Sequence, residues 1–389
     1  VTSKKSSAVA NDVRELSHFD FESGDPSENV YSLYVEGLNP GDEIAAALAS
    51  FSGDFYASLK SPLIESGRFM REASLDRIRA GFGGVATSAA MVTNGGQSLS
   101  SPPGSEAPSP VSGAGHRAVG WAQIVGGWER YNSDGNRAGL NHDTRWLLMG
   151  VDVPVTAAWQ VGAVAGFGQA TADLTKHNAS ADISTYSLGL YSGKQWNETG
   201  LRLGASYAWH DINSSRRVAF TGFGNSLSAF YQAKSAQLFG EMGYQLDFSP
   251  ARIELFAAMT HIYLSTPYFS ESGGVSALTV NGSNSHTTFT VLGVRGDRTF
   301  KVGRINARAR GTMGWRHASG DITPTSIHAF VLGSSFSVSG VAIAQDAGTV
   351  SMGMDVSISQ QATFGLYYEG QFASQSQQHG VSANLSVQF

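Results

Sequence analysis

Few residues in this 389-residue chain could do chemistry, and their spacing excludes most of it. Of ten histidines, two sit near an acid in a way that could polarise a nucleophile: His210 beside Asp211, and His317 four residues before Asp321. Neighbours on a strand point to opposite faces, so His210 and Asp211 are poorly placed to share a site. His317 and Asp321 share an alternation face, but a strand ends there and a loop begins. There is no G-x-S-x-G nucleophile elbow and no H-E-x-x-H zinc motif. The absence of cysteine removes disulfides, thiolate zinc sites and thiol catalysis together. The expectation is therefore a chain with no catalytic, metal or cofactor residues, which is not an enzyme. A net charge of −5 gives no basic surface for nucleic acid.

A denser set of ionisable groups lies elsewhere. Arg68, Arg71, Glu72, Asp76, Arg77 and Arg79 crowd into a segment that reads as a helix over about 54–80, with Pro62 in its first turn and Ser61 as its cap. An earlier short helix is expected from Asp42 through EIAAALAS, Asp42 being its cap. From Pro62 to Arg79 the helix would be about 27 Å long at about 1.5 Å per residue. The apolar stripe of Leu63, Met70, Leu75 and Ile78 is patchy. A helix polar on most sides is marginal in water unless something encloses it.

The remaining elements suggest the enclosure. Seven of the 11 prolines precede residue 118, and the 272 residues from 118 onward hold only Pro154, Pro250, Pro267 and Pro324. Proline cannot donate to a sheet ladder, so long proline-free stretches point to paired strands. Those stretches alternate. Val350, Met352, Met354, Val356 and Ile358 interleave with Ser351, Gly353, Asp355, Ser357 and Ser359, and 236–248 and 381–389 behave alike. Twelve such segments follow Ala118. They exceed the usual length of soluble strands, about five or six residues.

Tight turns are expected near 154–159, 197–199, 249–251, 302–304 and 360–362. Long loops are expected near 132–143, 175–183, 214–229, 268–285 and 320–344, with a short one near 374–379. Short turns on one side and long loops on the other mark a membrane barrel, whose apolar band stands about 25 Å tall. Trp128, Trp146, Trp159, Trp196, Trp209 and Trp315 fall near strand ends, where aromatic girdles sit. The fold class read from these patterns is an all-β membrane protein: a 12-stranded antiparallel up-and-down transmembrane β-barrel with an N-terminal α-helix inside the pore. No stretch approaches 18 consecutive apolar residues, and the N-terminus has no apolar signal core, so it reads as a start inside a longer chain.

Alternation also assigns the lumen. Arg202, Glu241, Glu254, Arg295, Arg308, Arg310, Asp355, Glu369 and Gln371 face inward. Helix arginines are expected to meet Glu241, Asp355 or Glu369, and helix acids Arg308 or Arg310.

Several motifs carry a family resemblance. SGDFYASLKSPLIESGRFMREASLDRIR at 52–79 resembles the junction segment of monomeric (type Va) autotransporters. So do LFGEMGYQL at 238–246, VLGVRGD at 291–297, GTMGWRHASGD at 311–321, SFSVSGVAIAQDAGTVSMGMD at 335–355 and FGLYYEGQF at 364–372. The resemblance implies a bacterial outer-membrane translocator that exports its own N-terminal passenger and is then plugged by the helix. It implies as partners outer-membrane lipid, the barrel assembly machinery and periplasmic chaperones, with Phe389 as the C-terminal assembly signal. The implied organisation is a passenger remnant at 1–41, a helical junction at 42–80, a Gly/Ser/Pro-rich flexible linker at 81–117 and the barrel at 118–389. No asparagine occurs in residues 41–93, which disfavours self-cleavage through asparagine cyclisation. Two other readings share the barrel: a porin-like or adhesin barrel without export, and a rim-active barrel enzyme.

Overall fold

The computed structural model describes residues 50–82, 91–93, 118–133, 138–174, 178–220, 223–303, 305–330, 333–358 and 362–387. The Asp42 helix, the passenger remnant, most of the linker and Phe389 lie outside them.

Twelve strands close into a barrel: β2 (Val119–Tyr131), β3 (Leu140–Thr156), β4 (Trp159–Leu174), β5 (Ala179–Trp196), β6 (Thr199–Phe220), β7 (Phe223–Phe248), β8 (Ala251–Thr266), β11 (Ser283–Val302), β12 (Ile305–Gly320), β15 (Asp346–Ser357), β16 (Ala362–Phe372) and β17 (Ser376–Val387). Each pairs antiparallel with its neighbours, and β17 closes on β2 from Ser376 opposite Tyr131 to Ser382 opposite Val125. Below that seam, β1 (Met91–Thr93) from the linker pairs with the remaining edge of β2, Met91 opposite Ala122. Closure leaves the barrel strands no long free edge within the wall.

Among the described residues, short turns at Ala157-Ala158, Asn197-Glu198 and Ser249-Pro250 join strands at one end, as the sequence predicts. At the other end two expected loops are strands instead. β6 and β7 stay paired out to Phe220 opposite Phe223, and β5 already starts at Ala179, so 214–229 and 179–183 extend the wall. The reason is an inversion of the alternation. On β5, Tyr186, Leu188 and Leu190 are exposed outward, whereas beyond Ser184 the inward residues are apolar (Ile183, Ala181, Ala179) and the outward ones polar (Asp182, Ser180). On β7, Leu238 and Met242 face out, but further up Tyr231 and Ala229 face in while Gln232 and Lys234 face out. The lower segments face lipid outside and a polar lumen inside. The upper ones face water outside and a packed interior.

The two longest connections fold over the upper mouth. β9 (Phe269–Ser270) and β10 (Leu278–Val280) come from one, β13 (Thr325–Phe330) and β14 (Phe336–Ser339) from the other, forming a sheet in the order β14-β13-β10-β9.

Inside the barrel runs an interrupted helix: α1 (Asp54–Ser58), α2 (Lys60–Ser66) and α3 (Arg68–Gly81). Pro62 lies within α2 rather than opening a helix, and its missing N–H accounts for the break before α2. Ser61 is not a cap; its hydroxyl donates to the Val341 carbonyl in the loop after β14, 2.6 Å away.

Candidate functional site: the helix-filled lumen

The helix is gripped differently along its length. At the top, Phe55, Tyr56, Leu59, Leu63 and Ile64 pack against Leu140, Leu174, Ile183, Ile212, Tyr231, Ile262, Leu264 and Phe289 from the wall. This half of the lumen is largely apolar. Five such side chains contribute roughly 1.5–3 kcal/mol each in burial alone. Lower down, Phe69, Met70, Ala73 and Ile78 meet Trp121, Val125, Trp146, Leu148, Val164 and Tyr191. Trp146 thus faces the lumen and is no girdle residue, whereas Trp128, Trp159, Trp196 and Trp315 are exposed outward. A cavity of about 20 Å³ beside Ile64, Gly67 and Met70 leaves room for about one water.

Among these apolar contacts lie ion pairs. Arg77 donates through Nε and Nη2 to both carboxylate oxygens of Asp152, each at 2.9 Å. Asp152 also accepts from Gln160 and from the Tyr191 hydroxyl, and Tyr191 in turn accepts from Trp121 Nε1. Arg79, fully buried, donates through Nη1 to both oxygens of Glu241 at 2.9 Å and also bonds Asp76. Glu241 is held besides by Arg202 (2.8 Å) and Arg295 (2.7 Å), and Arg202 also pairs with Glu254. Near the middle, Glu65 accepts from Arg316 Nη1 at 2.9 and 2.8 Å. Arg68 donates to Gln378 (2.7 Å) and lies 3.5 Å from Glu129. Arg71 donates to Gln237 (3.1 Å) and sits 3.5 Å from Glu72.

Of the wall charges read from alternation, the structure therefore brings Glu241 to Arg79. Arg308 pairs with Asp297 at 2.8 Å and Arg310 with Asp355 at 2.6 Å, and among the described residues Asp355 makes no ion pair with a helix arginine. Glu369 has no hydrogen bond or ion pair among the described residues. Other groups that meet the helix, among them Asp152, Glu129, Arg316, Gln237 and Gln378, were missed. All face inward by alternation, but only the register of twelve strands decides which inward charge stands beside which turn of the helix.

A latch at the mouth was also missed. Arg216 on β6 makes a bidentate pair with Glu271 (2.8 and 2.6 Å) and donates to the Ser50 carbonyl (2.6 Å). Tyr56 donates to the same Glu271 at 2.7 Å. His328 on β13 donates from Nδ1 to the Ser52 carbonyl at 2.9 Å. Burial of this imidazole pushes its pKa down to about 4, the Ser52 bond only partly opposing the shift.

The histidine–acid pairs weighed for catalysis part company. His210 points inward between Thr185 (2.9 Å) and Ser235 (2.9 Å), while Asp211 points outward to Gln232. His317 bonds Asp346 at 2.9 Å, and Asp321 instead accepts from the His286 backbone N–H. His210 thus has a hydroxyl and no carboxylate on each ring nitrogen, and His317 has a carboxylate on Nδ1.

Comparison with known proteins puts this geometry in context. Residues 120–369 match the autotransporter β-domain family. An extracellular serine protease of Serratia marcescens is 27% identical over 362 residues; the alignment covers 92% of this chain and 32% of the relative. The chain thus spans about a third of the length of that relative. The translocator domain of the autotransporter NalP from Neisseria meningitidis is similar in fold, with a TM-score of 0.55, 14% identity and coverage of 70% of this chain and 88% of that one. The β domain of the Bordetella autotransporter BrkA gives a TM-score of 0.51 and 15% identity, covering 69% of this chain and 99% of that one.

Proposed function

The chain belongs to the autotransporter β-domain family, and on that premise we propose that it is an outer-membrane translocator exporting the polypeptide that lies upstream in the same chain. One observation carries the reading. A helix enters from the long-loop mouth at Ser50, fills the lumen down to Gly81 beside Gln160 near the short turns, and is ion-paired to opposing walls. The exported part then lies outside the mouth, and the helix remains as the plug. Arg68, Arg77 and Arg79 seat it on Glu129, Asp152 and Glu241, and Glu65 on Arg316.

The partners in this proposal are the passenger, outer-membrane lipid against the outward apolar band, and the barrel assembly machinery and periplasmic chaperones during insertion, with Phe389 as the assembly signal. The divisions proposed are a remnant at 1–41, a junction at 42–80, a linker at 81–117 and the barrel from 118. The barrel segment is proposed to secrete, not to catalyse.

Single-channel conductance in planar bilayers tests the plug. Deletion of residues 54–80 should raise the conductance several-fold and abolish stable display of a fused passenger. A deletion that leaves both unchanged overturns the reading and favours a porin-like or adhesin barrel.

A further inference from the structure

The wall slips by one residue at the upper end of β8. Its ladder with β7 runs from Phe248 opposite Ala251 up to Lys234 opposite Ser265, and the next link is the bridge between Ser228 and Ser272. From 234 to 228 is six steps and from 265 to 272 is seven, so one chain carries an extra residue. Pro267, which has no N–H to give to a ladder, lies in the slip. On the inner side Tyr231 and Phe269 stack with ring centroids 3.9 Å apart and close the wall. On the outer side the slip leaves a groove of about 390 Å³, within the range of small-ligand sites, about 300–1,000 Å³.

The side chains around the groove suit a sugar. Phe230 and Tyr268 are each 65% exposed and offer flat apolar faces on which the C–H face of a pyranose can lie. Gln232 and Ser265 offer hydrogen bonds to hydroxyls. The Gln232 amide donates to Asp211 at 2.9 Å, and its oxygen makes no hydrogen bond among the described residues. Lys234 adds a positive charge with no carboxylate partner among the described residues. Asp211 stands opposite Gln232 on the β6 side, which directs an acidic group to the β8 side of Lys234, beside Ser265.

Height along the wall selects what carries the sugar. Leu238 and Met242 on β7, with Leu255 and Met259 on β8, face lipid below the groove. Tyr207 on β6 and Tyr263 on β8 stand above them, each opposite Ala236 of β7, and Trp209 stands opposite Lys234; together they form an aromatic belt. Lys234, two residues above Ala236, is at the level of phosphates. Phe230 is six residues above Ala236, about 20 Å along the strand and about 15 Å along the bilayer normal at a tilt of about 40°. The headgroup layer of a phospholipid is about 5–8 Å thick. A phospholipid therefore meets Lys234 but falls short of Phe230 and Tyr268, whereas a lipid with a saccharide headgroup reaches both.

We propose that this groove docks the headgroup of an outer-leaflet glycolipid, an acidic saccharide whose ring lies on Phe230 and Tyr268 and whose phosphate or carboxylate pairs with Lys234. The inference rests on the position of the barrel in the outer membrane and not on export. Anchoring favours a lipid over a soluble sugar. Acyl chains lying on Leu238 and Met259, 66% and 60% exposed, hold the headgroup at the groove and raise its local concentration.

The test places the full chain in nanodiscs of phosphatidylethanolamine and phosphatidylglycerol with lipopolysaccharide added. Native mass spectrometry counts the lipopolysaccharide molecules that stay on the released barrel. The unaltered chain should retain at least one. Phe230→Ala with Tyr268→Ala should lower retention about tenfold, and Lys234→Gln several-fold, while the barrel keeps its folded electrophoretic mobility. Tyr268→Ala alone, which leaves β7 untouched, should show most of the loss, and Trp128→Ala on β2 should show none. Deacylated lipopolysaccharide at the same concentration should be retained at least tenfold less. No retention, retention that the aromatic variants leave unchanged, or an equal fall in Trp128→Ala would overturn the proposal. So would loss in Lys234→Gln alone, which points to a phospholipid phosphate, or equal retention of the deacylated form, which points to a soluble saccharide.

Discussion

Replacing Arg77 with methionine should loosen the lower end of the plug far more than its exposed charge count suggests. Arg77 and Asp152 are 4% and 2% exposed, and Arg77 is the one cation that touches Asp152 among the described residues. Methionine retains the bulk but leaves a carboxylate facing only the neutral donors Gln160 and Tyr191. Removing one partner of a buried pair costs about 3–5 kcal/mol. Each 1.4 kcal/mol is a tenfold change, so local opening should rise by about two to four orders of magnitude. The helix will not leave the barrel, because the apolar grip of Phe55, Leu59, Leu63 and Ile64 is untouched. Conductance is therefore too blunt an assay. Hydrogen exchange of the α3 amides, where closing outpaces exchange, reads the change directly. The double variant Arg77→Met, Asp152→Asn should restore most of the protection, since no buried charge is then stranded. Unchanged exchange in Arg77→Met, or no recovery in the double variant, would mean that the pair is hydrated and holds nothing.

Three other outcomes are expected. His328 is held neutral, its pKa lowered from 6.5 to about 4 by burial, with Arg216, Glu271 and Lys60 as the charged groups around it. The unfolded imidazole takes up a proton first as pH falls, so the cap loses stability between about pH 6.5 and 4, by up to about 3 kcal/mol; hydrogen exchange of β13 against pH should show this loss, and His328→Phe should flatten it. Gly340→Ala should pry the loop after β14 from the helix, because an added Cβ would lie 2.2 Å from the Ala57 carbonyl carbon and 2.3 Å from the Ser58 nitrogen; faster proteolysis of the cap checks it. Leu190→Arg places a charge mid-band on a side chain that is 68% exposed to the lipid side, at about 2–4 kcal/mol; the yield of folded barrel in membranes should drop, whereas Ser180→Arg, above the band, should be tolerated.

The strand number, the short turns and the helix with its arginines were legible because each leaves a local periodic trace. The extension of β6 and β7 was not. Arg216, Arg217, Gly222, Gly224 and Asn225 read as loop residues, yet Val218 and Leu227 alternate inward once the apolar face is allowed to change sides. The cap sheet was illegible for another reason: β9 and β10 have two and three residues, too few for any period to show. Charge partners were half legible. Alternation places Glu241 and Arg310 inside, but it takes the closed register to send Arg310 to Asp355 and to leave Asp152 facing Arg77.

The lower wall has a further property when considered without its helix. Arg202, Arg295, Glu241 and Glu254 balance one another, as do Arg310 with Asp355 and Arg308 with Asp297. A vacant lumen would thus be electrically quiet over most of its surface, and a passing polypeptide would find little to stick to. Among the described residues Asp152 and Arg316 have no ion partner on the wall and find one on the helix. If the chain exports its upstream part as proposed, they are marks at which the stretch carrying Glu65 and Arg77, twelve residues apart, comes to rest. Selection of the final resting position would then lie in a few wall charges rather than in the width of the channel.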